Sequence, residues 1–118
     1  MIKTTPPPNW EYLRRKFGVE WKGIVVTYGG VIYSPNPVVG DTLVHEEVHV
    51  KQQAGWDADK YVELYMNDPF FRYEMELEAY RAQYKHSPHK LKELAAYLSG
   101  PMYGRIASYE QALKDIQA

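Results

Sequence analysis

Cysteine is missing from the 118-residue sequence, and so are long hydrophobic runs and a large excess of either charge. Without cysteine the chain has no disulfides, no thiolate metal ligands and no cysteine nucleophile. Its longest apolar runs, such as residues 24–26, are far shorter than the roughly 20 residues that cross a bilayer, and residues 1–8 lack the apolar core of a signal peptide. The formal net charge of −1 offers no broad basic face for nucleic acid.

What remains is the composition of an ordinary globular protein, with 45% hydrophobic and 25% charged residues. We expect a single domain over residues 1–118. We further expect it to be monomeric and cytoplasmic, with no nucleic-acid or membrane partner. The eleven tyrosines are unusual, and their large apolar bodies with polar tips suit a small domain with a thin core.

Strand-forming residues are concentrated near the N-terminus. The β-branched and aromatic runs at residues 23–28 and 31–33 flank Gly29-Gly30, which predicts a small hairpin. The rest of the sequence carries helix signals. We predict helices over residues 10–16, 42–54, 58–66, 69–85, 88–98 and 109–118. The predicted fold class is therefore mainly α, of the α+β type.

Short polar residues mark the predicted beginnings of five helices. Each of them precedes a helical pattern: Asn9, Asp41, Asp68, Ser87 and Ser108. Asp68 and Ser87 are each followed by a proline that suits the first helical position. At the other end of the 42–54 helix, residues 51–53 are polar and are expected to be solvated.

The most informative residues are His45, Glu46 and His49, which form a His-Glu-x-x-His pattern within a predicted helix. Residues four apart lie one turn above each other on the same face, so both imidazoles can reach one metal ion. Glu46 can contact a water on that metal, whose pKa Zn²⁺ lowers towards about 7. The spacing predicts a zinc site that serves metal-activated hydrolysis.

Two histidines need a third protein ligand to complete a zinc site. The helix predicted over residues 69–85 offers Glu74, Glu76 and Glu78. At about 100° per residue, Glu74 and Glu78 share a face with basic residues, which is typical of solvated charges. Glu76 lies at the margin of the apolar face, where a carboxylate needs a partner. The geometry favours Glu76 as the third ligand, with Glu78 as the alternative.

Two segments resemble the gluzincin-type metallopeptidases, in particular their small single-domain members from phages and bacteria. They are His-Glu-Glu-Val-His-Val-Lys-Gln-Gln at residues 45–53 and Glu-Leu-Glu-Ala-Tyr-Arg-Ala at residues 76–82. The resemblance covers about residues 23–99. It implies a minimal zincin-like fold, in which the small hairpin packs on the active-site helix and a glutamate-bearing helix. A strand before the active-site helix would form the rim of the substrate cleft. The resemblance also implies a glutamate ligand three residues before an alanine, which is Glu76.

The sequence departs from the family at Tyr80, where many members have an aspartate that braces a ligating histidine. Asp57, Asp59 and Glu47 are the candidates for that bracing group, and the sequence does not rank them. The family also implies a residue that donates a hydrogen bond to the oxyanion formed during hydrolysis. Tyr103, in a loop rich in glycine and proline, is our first candidate, ahead of Tyr84, His86 and Arg105.

The sequence therefore predicts a zinc metallopeptidase that acts on peptide or protein substrates. In this reading His45, His49 and Glu76 bind Zn²⁺, and Glu46 is the general base. Two alternatives stay open. The same ligands could hold zinc in a non-catalytic scaffold or protein-interaction module, or the enzyme could hydrolyse a cell-wall amide. Glu46 favours catalysis, because a structural zinc site does not need it.

Overall fold

Six helices and a three-stranded sheet make up the computed structural model, which describes residues 1–118. In chain order they are β1 (Ile2–Lys3), α1 (Trp10–Phe17), β2 (Val26–Tyr28), β3 (Val31–Tyr33), α2 (Gly40–Gln53), α3 (Ala58–Asn67), α4 (Pro69–His86), α5 (Leu91–Leu98) and α6 (Tyr109–Gln117). Short 3₁₀ turns at Pro88–Lys90 and Pro101–Tyr103 flank α5. The predicted class, mainly helical within the α+β type, is confirmed. None of the helices has the length and apolarity that a membrane span requires.

The sheet contains the predicted hairpin and one strand that the sequence did not predict. Gly29 and Gly30 have φ angles of +59° and +77°, the positive values that a two-residue type I′ hairpin turn needs at both positions. Strands β2 and β3 pair antiparallel, with Thr27 opposite Ile32. Strand β1 adds in parallel to the other side of β3. Strand β2 therefore lies at an edge of the sheet.

Two of the five predicted helix caps are confirmed, whereas Asn9 and Ser87 make no side-chain cap bond. The side chains of Asp68 and Ser108 accept hydrogen bonds from backbone N–H groups in the first turns of α4 and α6. The prediction for Asp41 is wrong, because α2 begins at Gly40 and the cap position is Val39, which makes no side-chain cap bond. Asp41 lies inside the first turn, where its carboxylate accepts hydrogen bonds from α4 and from Lys90.

The polar end of α2 is exposed as predicted at Lys51, but not at the two glutamines that follow it. Gln53 is buried, its amide nitrogen donates to the carbonyl oxygen of Thr27 at 2.9 Å, and its amide oxygen accepts from the backbone N–H of Gly30 at 3.0 Å. These two bonds fasten the hairpin to α2, because they satisfy backbone groups of β2 and of the turn. The expected packing of the hairpin on this helix is confirmed.

Helix α4 contacts α2, α3, α5 and α6, and it borders two different interiors. We call the first the apolar core, which is formed by Tyr80, Leu94, Ala95, Leu98, Tyr103, Ala112 and Ile116. The second lies between α2 and α4, and we call it the polar interface. Its buried side chains are His45, Glu46, His49, Glu76 and Gln83. The residues singled out in the sequence meet in this polar interface.

Candidate metal centre

Three potential ligand atoms converge between α2 and α4. His45 and His49 lie one turn apart on α2, and their Nε2 atoms are 3.2 Å apart. Glu76 on α4 places Oε1 at 3.1 Å from Nε2 of His45 and 3.3 Å from Nε2 of His49. All three residues are between 4% and 7% exposed. The facing sides of the two helices thus form a small triangle of nitrogen and oxygen atoms.

Hydrogen bonds behind the two imidazoles fix where each ring carries its proton. Nδ1 of His45 lies 2.9 Å from the amide oxygen of Gln83, and Nδ1 of His49 lies 2.8 Å from the amide oxygen of Gln52. An amide oxygen only accepts, so each Nδ1 must carry the hydrogen and donate it. In the neutral ring Nε2 then has a free lone pair, and both lone pairs face Glu76.

The charges and lone pairs of this triangle favour the binding of a cation. Burial acts to raise the pKa of Glu76, but the two histidines outweigh it and hold that pKa well below its usual range. Burial acts to lower the pKa of His49, but the Glu76 carboxylate reverses this and raises the pKa to about 9. Two lone pairs and a carboxylate oxygen about 3 Å apart repel each other unless a proton or a metal ion lies among them.

The donor set fits Zn²⁺. Zinc bonds of about 2.0–2.2 Å at the tetrahedral angle place neighbouring ligand atoms about 3.3–3.6 Å apart. The three separations here are 3.1, 3.2 and 3.3 Å, so little adjustment is needed. Two imidazoles and one carboxylate are also the ligand type of open, catalytic zinc sites. The side chains of His45, His49 and Glu76 therefore fit a zinc ion in donor type and in spacing.

The carboxylate of Glu46 also lies at the centre, but its position differs from that of the three potential ligands. Ligand atoms of His45, Glu46 and His49 all lie within 4.8 Å of one another, but Oε2 of Glu46 is 3.9 Å from the nearest histidine nitrogen, farther than the Glu76 oxygen. Its Oε1 accepts a 2.8 Å hydrogen bond from the hydroxyl of Thr27 on β2. Burial raises the pKa of Glu46. This carboxylate lies beside the triangle and completes none of its corners.

One tyrosine bonds the carboxylate of Glu76, and two more lie beside the histidine side of the centre. The hydroxyl of Tyr65 donates to Oε2 of Glu76 at 2.7 Å, which leaves Oε1 to face the histidines. Tyr80 packs edge-on against the His45 ring, with 4.5 Å between ring centroids. Its hydroxyl lies 2.9 Å from the hydroxyl of Tyr103. Tyr103, the predicted oxyanion donor, is therefore buried near the centre, in contact with a second tyrosine.

The remaining predicted residues lie elsewhere. Glu78, the alternative ligand, is exposed and accepts a hydrogen bond from Gln52. The three candidate bracing groups were wrong. Asp57 caps α3, Asp59 accepts from the hydroxyl of Tyr28, and Glu47 is exposed. None of the three is hydrogen-bonded to an imidazole, because Gln83 and Gln52 occupy both Nδ1 atoms.

Sequence reasoning missed the two glutamines that hold the histidines. The spacing of both glutamines from the predicted ligands could have indicated them. Gln52 follows His45 by seven residues, and Gln83 follows Glu76 by seven, so each lies two turns along the same stripe as a ligand. Tyr65 on α3 had no such signal, because it reaches Glu76 only through the packing of α3 on α4.

No protein family, curated protein or solved structure matches this chain. The functional interpretation consequently depends on the geometry of the centre and on the motif.

Proposed function

We propose that this protein is a zinc-dependent hydrolase of peptide bonds, similar to the small gluzincin-type metallopeptidases. In this proposal His45, His49 and Glu76 bind the metal, and Glu46 is the general base. The triangle of ligand atoms, with separations of 3.1–3.3 Å and both Nδ1 atoms already donating, is the observation that carries the proposal. A single chain supplies every ligand, which supports a functional monomer.

When bound, Zn²⁺ would act as a Lewis acid and make a water acidic enough to serve as a nucleophile near neutral pH. Glu46 is suited to accept the proton of that water. Its carboxylate is buried beside the histidines, and the Thr27 hydroxyl holds one oxygen so that the other, Oε2, faces His45. Burial raises the pKa of Glu46, which makes it a better proton acceptor and lets it deliver the proton to the leaving amine.

The tyrosine pair supplies a candidate hydrogen bond to the developing oxyanion. Of the two hydroxyls of Tyr80 and Tyr103, one donates to the other, so the accepting hydroxyl keeps its own hydrogen for another partner. Burial raises the pKa of both hydroxyls far above their usual range, so each stays protonated. A protonated hydroxyl next to the His45 ring can donate where negative charge forms.

The substrate backbone would pass along the edge strand β2. Thr27, which holds Glu46, lies in the middle of this strand, so a peptide there would run past the general base. The carbonyl of Thr27 already accepts from Gln53, so pairing with an added strand would use the other backbone groups of this edge. An extended peptide recognised through its main chain fits a protein substrate or a cell-wall peptide.

The test compares the zinc-loaded wild type with Glu46→Gln on a peptide library that also contains cell-wall peptide fragments. The glutamine keeps the size of the side chain but cannot accept the proton. We expect it to retain zinc and to lose at least about a hundred-fold in hydrolysis rate. Equal cleavage by both proteins would contradict the proposed mechanism. Cleavage only of the cell-wall fragments would assign the substrate to that class.

A non-catalytic zinc scaffold is the second candidate, and the burial of the centre favours it. The ligands are at most 7% exposed, and two surface cavities of about 290 and 390 Å³ are lined by other residues. A structural centre, however, does not require a buried carboxylate beside the ligands, and Glu46 is one. If the zinc-loaded wild type and Glu46→Gln are equally stable and neither hydrolyses any member of the library, the scaffold is favoured.

A further inference from the structure

A chain of hydrogen bonds runs behind His45 and ends at a carboxylate. Nδ1 of His45 donates to Oε1 of Gln83 at 2.9 Å, and Nε2 of Gln83 donates to Oδ2 of Asp41 at 2.7 Å. Nζ of Lys90 lies 3.2 Å from both oxygens of Asp41. The imidazole is therefore braced by a neutral amide, and the negative charge lies one group farther away.

His49 has a chain of the same composition behind it. Nδ1 of His49 donates to Oε1 of Gln52 at 2.8 Å, and Nε2 of Gln52 donates to Oε1 of Glu78 at 3.0 Å. Two more bonds hold this amide, since Nε2 also donates to the carbonyl of Met75 and Oε1 accepts from the hydroxyl of Tyr61. We call the two chains the amide relays.

The order of groups in each relay is directional. The NH₂ end of a carboxamide only donates and its oxygen only accepts. A carboxylate accepts, so it attracts the NH₂ end and turns the oxygen towards the imidazole. The oxygen in turn requires a hydrogen on Nδ1. A flipped amide would place its oxygen against the carboxylate and its NH₂ group against the Nδ1 hydrogen of the imidazole, which costs both hydrogen bonds of that relay.

We infer that Gln83 and Gln52 are positioning residues, which fix His45 and His49 in the tautomer whose Nε2 lone pair faces the metal centre. Part of this inference rests on the proposed zinc site, namely the effect on metal affinity. The effect on the tautomer concerns the metal-free protein and is independent of zinc.

Zinc affinity is the first readout, measured by competition with a chromogenic chelator. Gln83→Met keeps the side-chain length and removes the acceptor, so we expect affinity to fall about 10–100-fold. The matched control is Gln53→Met, which removes another buried glutamine of the polar region that contacts neither histidine and should leave affinity within about three-fold of wild type.

Exchange of the Gln83 amide and the Asp41 carboxylate tests whether zinc affinity depends on the hydrogen-bond chain or only on packing. In the double variant Gln83→Glu with Asp41→Asn, the carboxylate faces the imidazole and the amide lies behind it. Every donor still meets an acceptor, so affinity should return to within about three-fold of wild type. Failure of this exchange to improve on Gln83→Met would overturn the relay.

The tautomer is the second readout, taken from ¹⁵N chemical shifts of the imidazoles in strongly alkaline, metal-free protein. We expect the hydrogen on Nδ1 of both histidines in the wild type, although free histidine in water prefers Nε2. Gln83→Met should move His45 alone towards the Nε2–H form, and Gln52→Met should do the same to His49 alone. An Nε2–H wild type, or unchanged shifts in both variants, would overturn the inference. If the wild type binds no zinc, the proposed function fails while this experiment still decides on the relays.

Discussion

The two interiors that border helix α4 differ in composition, because one is apolar and the other contains buried polar and charged side chains. Towards α5 and α6 the helix contributes to an apolar core whose central residues, Leu94 and Leu98, are at most 1% exposed. Towards α2 the helix buries the carboxylate of Glu76 and the amide of Gln83 against the two imidazoles of α2. Tyr80 belongs to both, because its ring packs on His45 and it is part of the apolar core.

The difference separates the contacts that stabilise the fold from the groups that the proposed zinc chemistry requires. Burying a leucine side chain stabilises a fold by about 1.5–3 kcal/mol. Burying an ion costs several kcal/mol unless partners repay it. The polar interface therefore adds little to the stability of the metal-free protein, and a bound cation would change that. Residues that a stable core would avoid are concentrated where a metal can bind.

The largest expected effect is the loss of zinc affinity when Glu76, rather than another glutamate of α4, is removed. Structural zinc sites contribute about 10–16 kcal/mol of binding free energy, so we expect loss of one of three protein ligands to cost about 4 kcal/mol. Glu76→Ala should therefore lower zinc affinity roughly a thousand-fold by chelator competition.

Glu74→Ala is the matched control, because Glu74 is an exposed acid on the same helix and should behave as the wild type. Glu78→Ala removes only the outer end of one amide relay, so its effect should be much smaller than that of Glu76→Ala. Loss of zinc in Glu78→Ala with retention in Glu76→Ala would reverse the ligand assignment.

The apolar core should respond to truncation in a way that is independent of metal. Leu98 is fully buried, and Leu98→Ala should lower the free energy of unfolding by about 3 kcal/mol. Urea denaturation should give the same loss with and without zinc, because the side chain is not part of the polar interface. The zinc itself should add stability to both proteins, about 4 kcal/mol at a thousand times Kd. A loss that appears only in one metal state would show that the two interiors are coupled.

The sequence predicted the parts of this molecule that depend on local pattern. The hairpin followed from Gly29-Gly30 between β-branched runs, and α4 followed from Asp68-Pro69. The motif at His45 to His49 placed two imidazoles on one face, because helical spacing alone determines that. The margin of an apolar stripe likewise favoured Glu76, the acid whose oxygen lies by both histidines.

What the sequence did not predict depends on contacts between distant segments. Gln83 and Asp41 are 42 residues apart, and no local rule pairs them, so Asp41 was interpreted as a helix cap. Gln53 was assigned to solvent because polar helix ends usually are exposed, and only the packed hairpin gives it partners. The two-residue strand β1 is too short to carry a pattern, and its pairing depends on the position of β3.

The smallest expected effect is the number of protons that the protein releases when it binds zinc. The raised pKa of His49, about 9, means that the metal-free ring is protonated at neutral pH, and zinc must displace that proton. Affinity should rise about ten-fold per pH unit up to about pH 9 through this group. Calorimetry at pH 7 in buffers of different ionisation enthalpy should show about one proton released per zinc. Release of none would mean that the Glu76–His49 ion pair does not form in solution.

The central claim is that one zinc ion binds between α2 and α4 at three named atoms. The most direct measurement is anomalous scattering at the zinc absorption edge from crystals of the zinc-loaded protein. We predict one strong peak per chain, at about 2.0–2.2 Å from Nε2 of His45, Nε2 of His49 and Oε1 of Glu76. A peak bound by other residues, or fully loaded crystals with no peak between these helices, would contradict it.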